Sequence, residues 1–220
     1  MGLTVALDAG RAACIDSVRD FVRAVDATDE YDLLGASRCH GWSRLDVVTH
    51  VLAGWQEMLG GLVCPVDVEP SVDAASYWPA FAAEYVTQDR VTPLMAQRRR
   101  TATYLRPASA VEQLHDVAAV LLRGIEDLRD RRYQWQGHVF TAGDYLAIWA
   151  VEDVVHHLDL LTAVHAPAGA LSLARQTVEA LAGSGLPPEW PDQDAVLVGT
   201  GRVPVPDGLG PVAQRLPSLG

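Results

Sequence analysis

The sequence predicts an all-α fold: an antiparallel bundle of four long helices with a short, partly β carboxy-terminal appendage. Three observations lead there. Apolar residues recur at three- and four-residue spacing along four segments, the loops between them are modest, and prolines crowd the chain beyond residue 185. The expected division is 1–184 for the bundle and 185–220 for an appendage packed on it. A chain of 220 residues that is 49% hydrophobic can bury one sizeable core.

The first helix is read from Ala13, Ile15, Val18, Phe21, Val22 and Val25, over residues 10 to 28. Ser43 opens the second, with Asp46 three residues on in the capping-box position and Trp42 placed to staple against Val47; it runs to Leu62, beside Gly60 and Gly61. Shorter helices are expected over 74 to 88 and 93 to 105, interrupted by Pro79 and Pro93. Val111, Leu114, Val117, Ala118, Leu121, Leu122, Ile125 and Leu128 mark a long helix over 108 to 130, and Arg129 to Arg132 read as its solvated end. Thr141 with Asp144 opens a helix reaching residue 164, and Leu171 to Leu181 forms a last one. In the tail, AVLVGTGRVPV suggests two short strands around a glycine turn.

Composition narrows the function classes. A net charge of −11 argues against nucleic acid or an anionic membrane surface as a partner, and Arg98, Arg99 and Arg100 read as a solvated helix turn. No apolar run is long enough to span a bilayer and the amino terminus lacks a signal pattern, so a cytoplasmic protein is expected. Cys14, Cys39 and Cys64 have no CxxC spacing and read as reduced thiols. All 17 basic residues are arginine, which fits a GC-rich coding genome.

The segment WAVEDVVHHLDL places Glu152, Asp153, His156, His157 and Asp159 in one otherwise apolar helix. At about 100° per residue, Glu152 and His156 lie ~40° apart and Asp159 within ~20° of Glu152. That line offers a metal two ligands one turn apart, with a carboxylate to orient the imidazole. Asp153 and His157 share the spacing. The apolar stripe of Ile148, Val151, Val155, Leu158 and Thr162 is bordered by Glu152 and His156 and opposed by Asp153 and His157, which therefore read as a surface ion pair. His50 sits at the edge of its own helix's stripe beside Gly54; its context alone reads better as a partly exposed or hydrogen-bonded histidine than as a ligand.

Cys39-His40-Gly41-Trp42-Ser43, followed by Asp46-Val47-Val48 and His50, resembles the Cys-Pro-Gly-Trp-Ser/Thr…Asp-Leu-Val-x-His element of the mycothiol-dependent maleylpyruvate isomerase amino-terminal domain family, a branch of the DinB-like superfamily. Glu152-x-x-x-His156 followed by Asp159-Leu160 is similar to that family's Glu-x-x-x-His-x-x-Asp-Leu element. The likeness covers residues 10 to 165; His40 stands where the family has proline, and the tail is shorter than the isomerase's second domain. It implies a DinB-like bundle in which His50, Glu152 and His156 hold one divalent metal ion, zinc the expected one, with Asp159 supporting His156. The family's substrate-binding arginine has no single match here; Arg90, Arg98 and Arg202 are the candidates.

Two imidazoles and a carboxylate leave a coordination position open, and a thiol entering there is held as thiolate at neutral pH. The resemblance implies mycothiol as co-substrate, and the lysine-free composition fits an actinobacterial source. The expected function is a metal-dependent, mycothiol-using S-transferase or isomerase acting on a small-molecule electrophile. Trp55, Tyr145 and Trp149 are the expected pocket walls, against the plainer reading of tryptophans at helical spacing as core. Two alternatives stay open: a thiol-independent metal hydrolase, lyase or cyclase of a biosynthetic pathway, and a non-catalytic metal-binding bundle. Self-association as a homodimer is also left open.

Overall fold

Helix α1 (Leu7–Asp26) turns Ala13, Cys14, Val18, Phe21 and Val25 inward, as its three- and four-residue spacing requires. The chain is seen in a computed structural model that describes residues 2–85, 89 and 91–219. Helix α2 (Arg44–Leu62) starts at a complete capping box: the Ser43 hydroxyl accepts from the Asp46 amide at 3.0 Å, and the Asp46 carboxylate accepts from the Ser43 amide at 2.8 Å. After a two-residue strand, β1 (Pro65–Val66), come α3 (Tyr77–Tyr85) and α4 (Val91–Thr101). Buried Gln97 ties α4 to α2 by donating to the Asp46 carbonyl and the Thr49 hydroxyl.

Helix α5 (Pro107–Glu126) has proline at its first turn, where the missing amide has no intrahelical partner to lose. Strands β2 (Arg132–Trp135) and β3 (His138–Thr141) follow, then α6 (Ala142–Asp159), α7 (Ala168–Ala182) and α8 (Asp192–Gly199). The long helices touch in a ring: α1 on α6, α6 on α2, α2 on α5 and α5 on α1. The α1–α6 crossing is close because glycines stand at it. A Cβ on Gly10 would lie 2.5 Å from the Gly143 carbonyl oxygen, and one on Gly143 would lie 2.0 Å from that of Val5. With α7 and α8 also packed on α6, every residue of α6 except Glu152 is buried.

The mostly helical expectation holds, with three local departures. Residues 132–141 form a hairpin, and β1 pairs with β2 to make a three-stranded antiparallel sheet in the order β1-β2-β3. Its two-residue loop, Gln136 and Gly137, has positive φ at both positions, 48° and 77°, the geometry that matches the strands' right-handed twist. The strands expected in AVLVGTGRVPV are instead helix α8 and a turn. Pro191 stands at its N-cap, Asp192 and Asp194 complement the first turn, and Gly199 lies against Val178 of α7. Finally α6 ends at Asp159 and not at residue 164, and Leu161 has a φ of 57°.

A candidate metal centre

Helices α2 and α6 bring His50, Glu152 and His156 together. Their ligand atoms all lie within 4.8 Å of one another, and Glu152 Oε1 stands 3.2 Å from the Nε2 of each imidazole. Trp42, just before the α2 cap, holds both rings: its centroid is 5.1 Å from that of His50 and 6.4 Å from that of His156, nearly parallel to the latter. A four-coordinate ion with bonds of about 2.0–2.1 Å spaces its ligand atoms by about 3.4 Å. The 3.2 Å separations fit that tetrahedral edge, and the donor set of two imidazoles and one carboxylate suits a first-row divalent ion.

Burial and neighbouring charges act differently on the three side chains. Partial desolvation would raise the Glu152 carboxyl, yet His156 and His50 outweigh it and hold the group well below the usual range, as an anion. Burial opposes charge on His156, but Glu152, Asp159 and Cys39 raise its pKa well above the ordinary value. For His50 burial dominates and lowers the pKa, so its imidazole is neutral, the form a metal needs.

Behind His156, Asp159 Oδ2 lies 3.0 Å from Nδ1, which turns Nε2 toward Glu152. Asp159 is fully buried; although burial raises its pKa, His156 and Arg202 bring it down to about 2. Arg202 donates from Nε to Oδ1 at 3.3 Å and from Nη2 to Oδ2 at 3.2 Å, and the Cys39 thiol donates to Oδ2 at 3.1 Å. Cys39, His156 and Asp159 make a second group with metal-like spacing, but the Arg202 cation on Asp159 opposes a dication there.

Two expectations about neighbouring residues are corrected. Asp153 and His157 are not a surface pair: they are 1% and 3% exposed. Asp153 accepts from the Trp55 indole N–H at 2.8 Å and the Ser17 hydroxyl at 3.1 Å, and burial pushes its pKa up to about 7. His157 donates from Nε2 to the Val164 carbonyl at 2.8 Å. The side expected to face solvent is covered, because α1 lies along it. Of the expected pocket walls, Trp149 lines a cavity beside Glu152; Trp55 and Tyr145 are core, Trp55 bonded to Asp153 and the Tyr145 hydroxyl donating to the Met58 carbonyl.

Among the candidate arginines, Arg202 is on Asp159, Arg98 donates to the Gly41 carbonyl, and Arg90 lies outside the described residues. Among the described residues, the arginine that lines the cavity beside His50 is Arg100. Sequence reasoning missed it, along with Trp78, Phe81 and Trp135, whose positions depend on α3 and the hairpin.

Comparison with known proteins agrees with the motifs. The family model described as mycothiol maleylpyruvate isomerase N-terminal domain matches residues 12–161. Crystal structures of the mycothiol-dependent maleylpyruvate isomerase and of a mutant of it superpose with a TM-score of 0.56 at 16% identity, covering 81% of this chain and 70% of theirs. At that identity the likeness is one of fold. No curated relative matches the sequence. No helix among the described residues is long and apolar enough to cross a membrane.

Proposed function

The chain belongs to the mycothiol maleylpyruvate isomerase N-terminal domain family, and from that premise we propose a metal-dependent, mycothiol-using S-transferase or isomerase acting on a small electrophile. His50, Glu152 and His156 are the ligands of one divalent ion, zinc by preference, in an antiparallel four-helix bundle of the DinB-like kind. The observation that carries the reading is the convergence of three ligand atoms at the one residue of α6 that is not buried, Glu152, whose side chain is 32% exposed.

A divalent ion in this place lowers the pKa of an entering thiol so that it reacts as thiolate near pH 7. The chain's own residues do the rest. Asp159 fixes the tautomer of His156, Arg202 and Cys39 fix Asp159, and Trp42 holds the two imidazole planes. The thiolate sulfur bonds to the electrophilic carbon while the π pair moves to a conjugated carbonyl. Proton capture then leaves a thioether, or rotation and expulsion of the thiolate return an isomerised alkene.

The test is metal analysis of the purified chain together with consumption of an electrophile with and without mycothiol. Bound divalent ion, and turnover that needs mycothiol, disappears with a chelator and returns with zinc, is the expected result. Equal turnover without thiol would point to the metal hydrolase, lyase or cyclase instead.

A further inference from the structure

Two cavities adjoin at the ligand cluster. Glu152 lines both, His50 only the smaller, of about 240 Å³, and His156 only the larger, of about 610 Å³; Trp78 and Phe81 stand at both. The two chambers differ in chemistry. The larger carries Arg202, Arg215, Thr200 and Ser218 from the carboxy-terminal region. The smaller is walled by Tyr77, Trp78, Phe81, Trp135 and Trp149.

These rings form a continuous surface. Trp135 and Trp149 have centroids 4.9 Å apart, and Tyr77 lies 5.7 Å from both Trp135 and Phe81. Such a wall offers π faces and edges to a flat guest, which binds by offset stacking and edge contact together with apolar burial. The charges of the chamber point the same way. Glu57 and Glu152 line it, Asp153 stands part-protonated behind them, and Arg100 is the cation among its described lining residues, so the chamber's own side chains carry a net negative charge. The polar end is already engaged, since the Tyr77 hydroxyl donates to Gln136 Oε1 and Gln136 Nε2 donates to Glu57. A small aliphatic dianion would meet the Glu57 and Glu152 carboxylates there and leave the rings uncovered.

Resting on the proposed thiol chemistry, we infer that the smaller chamber binds a neutral, flat, conjugated electrophile. Its ring system lies against Trp78, Trp135 and Trp149, with its reactive carbon at the Glu152 and His50 end and Arg100 beside its carbonyl oxygen. The thiol comes from the larger, arginine-bearing chamber. Sulfur and electrophile thus reach Glu152 from two adjoining chambers.

The test is isothermal titration calorimetry of the purified chain, without thiol, using α-tetralone as an unreactive flat ketone and maleate as an aliphatic dianion. Saturable one-to-one binding of α-tetralone is expected, with maleate at least tenfold weaker. Trp135→Leu and Trp78→Leu, each verified as folded by circular dichroism, should weaken α-tetralone at least tenfold, and Arg215→Gln should leave it within twofold. Tighter binding of maleate, or tryptophan variants within twofold of the parent, would overturn the assignment. The two readings fail separately. α-Tetralone binding without any mycothiol-dependent turnover removes the thiol chemistry and keeps the chamber. Mycothiol-dependent turnover confined to aliphatic dianions, with no α-tetralone binding, does the reverse.

Discussion

Replacing Asp153 separates what α6 does for packing from what it does for chemistry. The carboxylate is buried and accepts two hydrogen bonds, from the Trp55 indole and the Ser17 hydroxyl. In Asp153→Ala both are lost and the Trp55 N–H, itself fully buried, has no acceptor. A buried donor left unpaired costs about 1–3 kcal/mol, and bonds to an acceptor that is part-ionised at pH 7 fall between about 0.5–1.5 kcal/mol for a neutral pair and about 1.5–3 kcal/mol for a charged one. A net loss of about 3 kcal/mol is expected, over a hundredfold in the folding equilibrium. Asp153→Asn keeps the shape: its oxygen accepts from Trp55, its amide donates to Ser17, and no charge is buried, so the cost stays under about 1 kcal/mol. Urea unfolding at pH 7 of metal-stripped protein measures both without a contribution from ion binding. An alanine variant within 1 kcal/mol of the parent, or an asparagine variant as damaged as the alanine one, would refute the reasoning.

Glu152→Gln should fold normally and still accept a hydrogen bond from His156, yet its affinity for zinc should fall at least about a hundredfold, read by competition with a chromophoric chelator. Full metal occupancy at stoichiometric zinc would remove Glu152 from the ligand set. Two adjacent glycines of α2 should respond oppositely to alanine. Nothing lies within 4 Å of a Cβ at Gly60, so Gly60→Ala gains about 0.5–1 kcal/mol of helix stability. A Cβ at Gly61 would meet the Tyr145 hydroxyl oxygen at 2.0 Å, and Gly61→Ala should cost about 1–3 kcal/mol in thermal unfolding. Glu30 pairs with Arg106 and accepts from the Ala108 amide at the start of α5, which lowers its pKa from 4.5 to about 2. Its stabilisation is present above pH 4.5 and lost as pH falls through about 2, so the acid side of the stability profile should be flatter in Glu30→Gln.

The long helices were legible because their buried faces repeat at the helical period and their starts carry their own chemistry, Ser43 with Asp46 and Thr141 with Asp144. The hairpin was not. Its loop holds Gln136 where asparagine or aspartate usually signals positive φ, and the arginines before it read as a solvated helix end. Helix α8 was misread because a four-residue apolar run suits a strand or a buried helix equally, and only its packing on α7 decides. At the site, the spacing of Glu152, His156 and Asp159 and the family motifs marked residues that the fold brings together with His50. Nothing local to the sequence could place Arg202 on Asp159, 43 residues away.

The misreading of Asp153 and His157 has a physical cause that also bears on the metal site. A stripe argument assumes that a helix has a solvent face, and α6 has none: packed by α1, α2, α7 and α8, it leaves only Glu152 open. Each remaining ionisable side chain of its last two turns must therefore be met from elsewhere, since an unpaired buried charge costs several kcal/mol. Asp153 is met by α1 and α2 through Ser17 and Trp55, His157 by the Val164 carbonyl, and Asp159 by Cys39 and Arg202. His156 is thus oriented by a chain of contacts from Asp159 to an arginine beyond residue 185, while Glu152 is the α6 residue that lines both cavities. The same polar residues that break the apolar pattern of α6 fix its rotation about its own axis. A turn of one residue, about 100°, would carry Glu152 away from His50 on α2 and Asp153 away from Trp55 and Ser17.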